Sequence, residues 1–162
     1  MNIIGEPTDY KFSVYNMEVI KVLDFKKYFL SEHQIFLDNI NYETLKLERA
    51  QGEVKLGCKD TIVAQLIDSV GVKFTFNRTM SFDEGGMFFL SVTYGAMLRF
   101  NPATYGEVMW KNMDLAGEFK MGCPHILTNL MSRTSLMIAQ ITSASGQNPI
   151  ITPGGVAIQS GR

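Results

Sequence analysis

Apolar and polar residues alternate most cleanly over "GVKFTFNRTMSF" (71–82), where Val72, Phe74 and Phe76 interleave with Lys73, Thr75 and Asn77. A period of two puts successive side chains on opposite faces, which predicts a strand. "DEGG" (83–86) supplies a turn, and "MFFLSVTYGAMLRF" (87–100) returns as the second arm of a hairpin. On this second arm Phe88, Leu90, Val92, Tyr94, Ala96, Leu98 and Phe100 share one face and read as core. Met87, Phe89, Ser91, Thr93, Gly95, Met97 and Arg99 share the other. That face is only partly apolar, so Met87, Phe89 and Met97 are candidates to touch a neighbour or a ligand. Further upstream, "YKFSVYNMEVIKVLDF" (10–25) starts with alternation on Tyr10, Phe12 and Val14. "YETLKLERAQGEVKLGC" (42–58) carries two short alternating runs around "AQGE", which predicts a second hairpin, and "TIVAQLI" (61–67) reads as another short strand.

The period changes after residue 100. "NPATYGEVMWKNMDLAGEFKMG" (101–122) opens on turn residues and reads as a crossover with one or two short helical turns. From Pro124 to about Ser143 the apolar positions fall at helical spacing: Ile126, Leu127, Leu130, Met131, Thr134, Met137, Ile138 and Ile141. Gly146 and Pro149 end the helix. Residues 148–162 read as an irregular or frayed tail. Strands first and a long helix last is an α+β pattern: one domain over 1–162, an antiparallel sheet of four or more strands backed by the C-terminal helix.

That helix has a second stripe. Thr128, Ser132, Ser135, Ala139 and Thr142 recur at steps of three and four, and the only firm charge is Arg133. A solvated helix face normally carries Lys and Glu. Small residues instead let a second helix approach closely. The stripe therefore predicts self-association through these five residues.

Composition narrows the functional classes. Fifteen Lys and Arg against sixteen Asp and Glu give a net charge of -1, too weak a field to steer nucleic acid or an anionic membrane. No basic run occurs, and the aromatic strands lack the basic signature of an RNA-binding sheet. The start, "MNIIGEPTDYK", shows no basic stretch before an apolar run, and no apolar run approaches the roughly 20 residues of a membrane helix, so the expectation is a cytoplasmic chain without membrane insertion. Ten Met and eleven Phe suit an adaptable apolar surface.

Catalytic and metal chemistry find little to stand on. His33 and His125 are the only histidines and Cys58 and Cys123 the only cysteines, with no zinc-finger spacing among them. Neither phosphate-binding glycine pattern is present. In "MGCPHILTNLM" (121–131) the cysteine, proline and histidine look like a reactive cluster. Pro124 suits the first position of a helix, where its missing N–H costs nothing. Cys123 is then at a cap position, where it caps poorly and is expected to pack. The expectation is a non-enzyme without metal or cofactor.

"CPHILTNLMSRTSLMIAQITSASGQNPIITP" (123–153) resembles the SecB export chaperones, which share its "CPxIL" helix start, long helix, glycine-containing break and Pro-containing loop. "SVTYGAMLRF" (91–100) is similar to the family's last strand in its V-x-x-G pattern on Val92 and Gly95, with the 71–90 hairpin in the right place before it. The resemblance covers about 71–153. It implies a homotetramer, a dimer of dimers with helices sandwiched between sheets. It implies an ATP-independent holdase that keeps unfolded or pre-export polypeptides soluble in an apolar groove. The family's crossover lies over that groove, which adds Tyr105, Met109, Trp110 and Met113 to Met87, Phe89 and Met97 as candidate peptide-binding residues.

The chain also departs from the family. Ser91 stands where the resemblance expects an acidic residue that docks the SecA motor, and the second helix and tail reduce to "GGVAIQSGR". The alternative is a dedicated partner-binding protein, such as a toxin–antitoxin-associated SecB-like chaperone without motor docking.

Overall fold

The computed structural model describes residues 22–45, 54–82 and 86–155. A single turn, α1 (Phe25–Tyr28), leads into β1 (Phe29–Thr44). Then come β2 (Leu56–Ile67), β3 (Gly71–Phe82), β4 (Phe88–Phe100), two 3-10 turns (Tyr105–Glu107 and Trp110–Asn112), α2 (Leu115–Gly122) and α3 (Pro124–Ala144). The four strands form one antiparallel sheet in the order β1-β4-β3-β2.

The β3–β4 hairpin pairs as the alternation predicts, from Gly71↔Arg99 to Met80↔Leu90. The seven β4 residues assigned to the core are all buried. The predicted 42–58 hairpin is corrected: β1 pairs with β4, β2 pairs with β3, and the two lie at opposite edges. β4 is the most continuously buried strand, so it gains by having a neighbour on each side, and the mostly exposed β1 takes the outer place. Most of the 10–25 strand lies outside the described residues. Its described end, 22–25, is not strand: the Asp24 side chain accepts the N–H groups of Lys26 and Lys27 and caps α1.

The helical layer covers one face of the sheet. Ile126, Leu127, Leu130, Met131, Thr134 and Ile138 of α3 are buried against it, and Met137 and Ile141 are half-buried. Pro124 opens α3, and Cys123 caps nothing with its side chain and is buried. Gly146 ends the helix at φ +79°, a backbone region that side chains rarely adopt. α2 is capped by the Asp114 carboxylate on the Gly117 N–H at 3.1 Å, a contact worth about 1 kcal/mol. Its Phe119 stacks on Phe74 of β3, ring centroids 4.0 Å apart and planes 11° from parallel, and burying each such ring contributes about 2 kcal/mol.

The other face of the sheet is more polar. At its centre the Asn77 amide donates to the hydroxyls of Ser91 (2.7 Å) and Thr93 (2.8 Å), and Thr79 donates to Asn77 Oδ1 (2.9 Å). Phe36 lies flat where a Cβ on Gly95 would meet its ring at 2.6 Å, so the strand-centre glycine makes room for an aromatic ring.

The predicted tail, 148–162, is described only to residue 155. Residues 148–155 are irregular, but Thr152 is buried and Ile150 packs on the core. No helix among the described residues is long and apolar enough to cross a membrane.

Candidate functional site

The crossover builds a groove between the helical layer and β2. Asn101 and Thr104 anchor its start to α1: the Asn101 N–H donates to Tyr28 O (2.8 Å), and the Thr104 hydroxyl donates to Lys27 O (2.8 Å). Trp110 then turns inward. Its indole N–H donates to Tyr105 O (2.9 Å), and its ring packs against Phe100 (centroids 4.5 Å), Phe29 (5.5 Å) and Tyr28 (5.7 Å). Glu118 of α2 accepts the Leu23 N–H at 2.7 Å and ties the segment before α1 to the same layer.

Two concavities open beside this anchor. One, of about 400 Å³, is lined by Ala64, Leu66, Trp110, Met113, Leu115 and Ala116, among others. The other, of about 730 Å³, is lined by Leu66, Tyr105, Val108, Met109 and Trp110, with Asp68 and Ser69 at its polar end. They share Leu66, Trp110 and Lys111. Met109 is 77% exposed, a large apolar side chain left in water at the rim. Beside it runs β2, whose one partner among the described strands is β3; an edge strand can offer main-chain donors and acceptors to an extended segment.

The structure divides the seven candidate peptide-binding residues into two sets. Tyr105, Met109, Trp110 and Met113 line the groove. Trp110 is its buried wall more than its surface, at 5% exposure. Met87 comes just before β4, and Phe89 and Met97 belong to the uncovered face of that strand, away from the groove; Met87 is exposed and the other two are half-buried. Sequence reasoning missed Ala64 and Leu66. The alternation in "TIVAQLI" carried that signal: Ile62, Ala64 and Leu66 pair with Phe76, Phe74 and Val72 and so share the covered face.

The five residues of the helix stripe separate as well. Thr128 and Ser132 are exposed, and Ser135 and Ala139 are half-buried. Thr142 is corrected: it is fully buried, donating to Ile138 O (2.8 Å) and accepting the Ile150 N–H (3.1 Å), and presents nothing to a neighbour. Leu136, which the stripe omitted, is 60% exposed on that outer side.

The "CPH" residues meet a third concavity, of about 450 Å³, which Phe25, Phe29, Leu98, Cys123, His125 and His33 help to line. The His33 and His125 rings are 6.5 Å apart, edge to face. Burial pushes the Cys123 thiol up to about 11, so it is a protonated, packed thiol at neutral pH. Burial also raises the Cys58 thiol, with a smaller opposing effect from Arg78. Among the described residues, no group of three His, Cys, Asp or Glu could hold a metal ion.

No protein-family model and no curated protein sequence matches this chain. The fold does match: a Mycobacterium tuberculosis SecB-like chaperone, solved in complex with a ChAD peptide from the HigA1 antitoxin, superposes with a TM-score of 0.50. The two are 9% identical, and the match covers 75% of this chain and 89% of that one. The architecture here, a four-stranded antiparallel sheet backed by a long C-terminal helix, is a SecB-like chaperone fold.

Proposed function

We propose that this protein is an ATP-independent holdase that takes up unfolded polypeptide segments between the crossover and β2. The observation that carries the reading is the groove: a partly apolar concavity with Met109 on its rim, laid beside a strand that is an edge among the described strands, on a SecB-like fold. Unfolded clients have no fixed shape. Flexible Met side chains adapt to varied apolar residues, and a strand edge reads main chain regardless of sequence.

Self-association belongs to the same reading. Apart from Arg133, whose Nε donates to Asn129 Oδ1 (2.7 Å), the outer side of α3 shows Thr128, Ser132 and Leu136 to solvent. That supports contact between copies through α3, and the same reading takes the assembly to be a homotetramer working in the cytoplasm.

Service to a single partner is the second reading, favoured because the matching chaperone was solved with an antitoxin peptide. Docking of a translocation motor is less well supported, since Ser91 hydrogen-bonds Asn77 on the uncovered face where the resemblance expected an acidic residue.

The test is suppression of aggregation. The purified protein, without nucleotide, is mixed at increasing ratios with several unrelated denatured proteins while light scattering is followed. A general holdase suppresses scattering from most of them near equimolar ratio. Protection of one protein only selects the dedicated-partner reading, and protection of none overturns the chaperone reading.

A further inference from the structure

Arg78 is a cation on the core face of β3, with none of its surface exposed. Asp60 opposite it on β2 takes two of its bonds, Nε to Oδ1 and Nη2 to Oδ2, both 2.7 Å. The remaining donors do not go to the sheet. Nη1 donates to Ser135 Oγ on α3 (3.1 Å), to Thr152 Oγ1 (2.8 Å) and to the carbonyl of Pro153 (2.8 Å), and Nη2 also donates to the carbonyl of Gly155 (2.9 Å). Thr152 in turn donates to Ser135 Oγ (2.7 Å). An irregular segment, 150–155, is therefore strapped across the space between α3 and β2 by a buried guanidinium that holds it through one hydroxyl and two main-chain carbonyls.

The strap lies in line with the groove. Asp60 and Ala64 are four residues apart on the same face of β2, roughly 13 Å at strand rise. Both face the helical layer. The strap is held by polar contacts more than by buried apolar surface: Thr152 is buried, but Ile151 is 81% exposed, and Pro153, Gly154 and Gly155 are exposed too. Two of the three acceptors that it offers Arg78 are backbone carbonyls, which any extended polypeptide also has.

We propose that Arg78 and Ser135 form a second polypeptide-binding site, continuous with the crossover groove, that the chain's own residues 150–155 occupy in the client-free state. A client displaces the strap and gives its main-chain carbonyls to the freed Arg78 donors, while Asp60 continues to hold the guanidinium in place. The strap then does two things. It keeps a buried charge satisfied when no client is present. It also reduces apparent affinity by the fraction of molecules in which it is closed. This inference rests on the holdase reading and adds a site and a regulator to it.

The test uses the full chain in two variants. Thr152 Oγ1 and Ser135 Oγ are 2.7 Å apart, close enough for a Ser135→Cys/Thr152→Cys pair, made with Cys58→Ala, to form a disulfide that locks the strap. Thr152→Lys places a like charge against Arg78 and releases it. The probe is reduced, carboxymethylated α-lactalbumin, and its affinity is measured by anisotropy. The oxidised pair, in which the strap cannot open, loses the second site and binds about tenfold or more weakly than its own reduced form, since the competent fraction there falls towards zero. Thr152→Lys binds more tightly than the unaltered chain. Should Thr152→Lys fail to fold, the oxidised and reduced forms, being one polypeptide, still decide. Equal affinity of the two forms overturns the strap while leaving the holdase standing. No binding by any form overturns the holdase reading and the strap with it.

Discussion

Arg78 and Asp60 face each other across neighbouring strands with neither side chain exposed, joined by two parallel bonds of 2.7 Å. The bond to Asp60 is the main influence raising the Arg78 pKa above its ordinary value, with burial opposing it. Such a pair is a fork-on-fork contact inside a sheet lined mainly by apolar residues such as Phe, Leu and Val on that face.

Removing one half of that pair leaves an uncompensated buried charge. Asp60→Ala is expected to destabilise the fold by about 3–5 kcal/mol in urea unfolding, and Arg78→Met/Asp60→Leu together by much less. A double variant as unstable as Asp60→Ala would mean that the pair is favourable in its own right.

Cys123 makes stability pH-dependent at the alkaline end. Its thiol is raised by burial from 9.0 to about 11, so the folded chain holds a proton there that the unfolded chain has lost. That contribution is complete below pH 9 and is lost as pH rises through 11. The fall in unfolding free energy between pH 9 and 11 should be smaller in Cys123→Ala than in the unaltered chain. An identical slope would show that other groups cause the fall.

Met109 separates binding from stability. Because it is 77% exposed, Met109→Asp should change stability by no more than about 0.5 kcal/mol yet weaken the capture of an unfolded polypeptide several-fold. Thermal melting and anisotropy on one preparation read the two effects. Unchanged capture would move the client away from the crossover.

The outer side of α3 can be tested by charge. Leu136→Lys/Ser132→Lys adds two cations next to Arg133 on a surface already in solvent, so the monomer should fold as before. Light scattering on the unaltered chain should give a mass near four times the chain's 18.2 kDa, and the double variant a smaller one. A single-chain mass for the unaltered protein would remove α3 as an interface.

The β3–β4 hairpin and α3 were legible because each keeps one period throughout. β1 was not. Its pairing with β4 shifts register between Leu37 and Asn39, so the positions opposite the core-face residues of β4 pass from Ile35 and Leu37 to Ile40 and Tyr42, and the alternation changes phase in mid-strand. The "AQGE" stretch lies outside the described residues, and a turn signal cannot in any case say which strand lies alongside. The groove was half legible: the crossover residues came from a family resemblance, whereas Ala64 and Leu66 were available from alternation alone. Arg78 went unread, although the period that buries Phe74 and Phe76 places it on the same side, and an arginine at a core position asks for a carboxylate on the neighbouring strand.

Trp110 is the chain's one tryptophan, and it stands at the seam where the crossover rests on Phe29 and Phe100. Whole-protein indole emission is therefore a single-position signal. Any movement of the crossover away from the aromatic cluster shifts the spectrum to the red with no label attached, while events confined to the strap or the outer side of α3 leave it unchanged. The molecule carries its own optical reporter for one part of its surface.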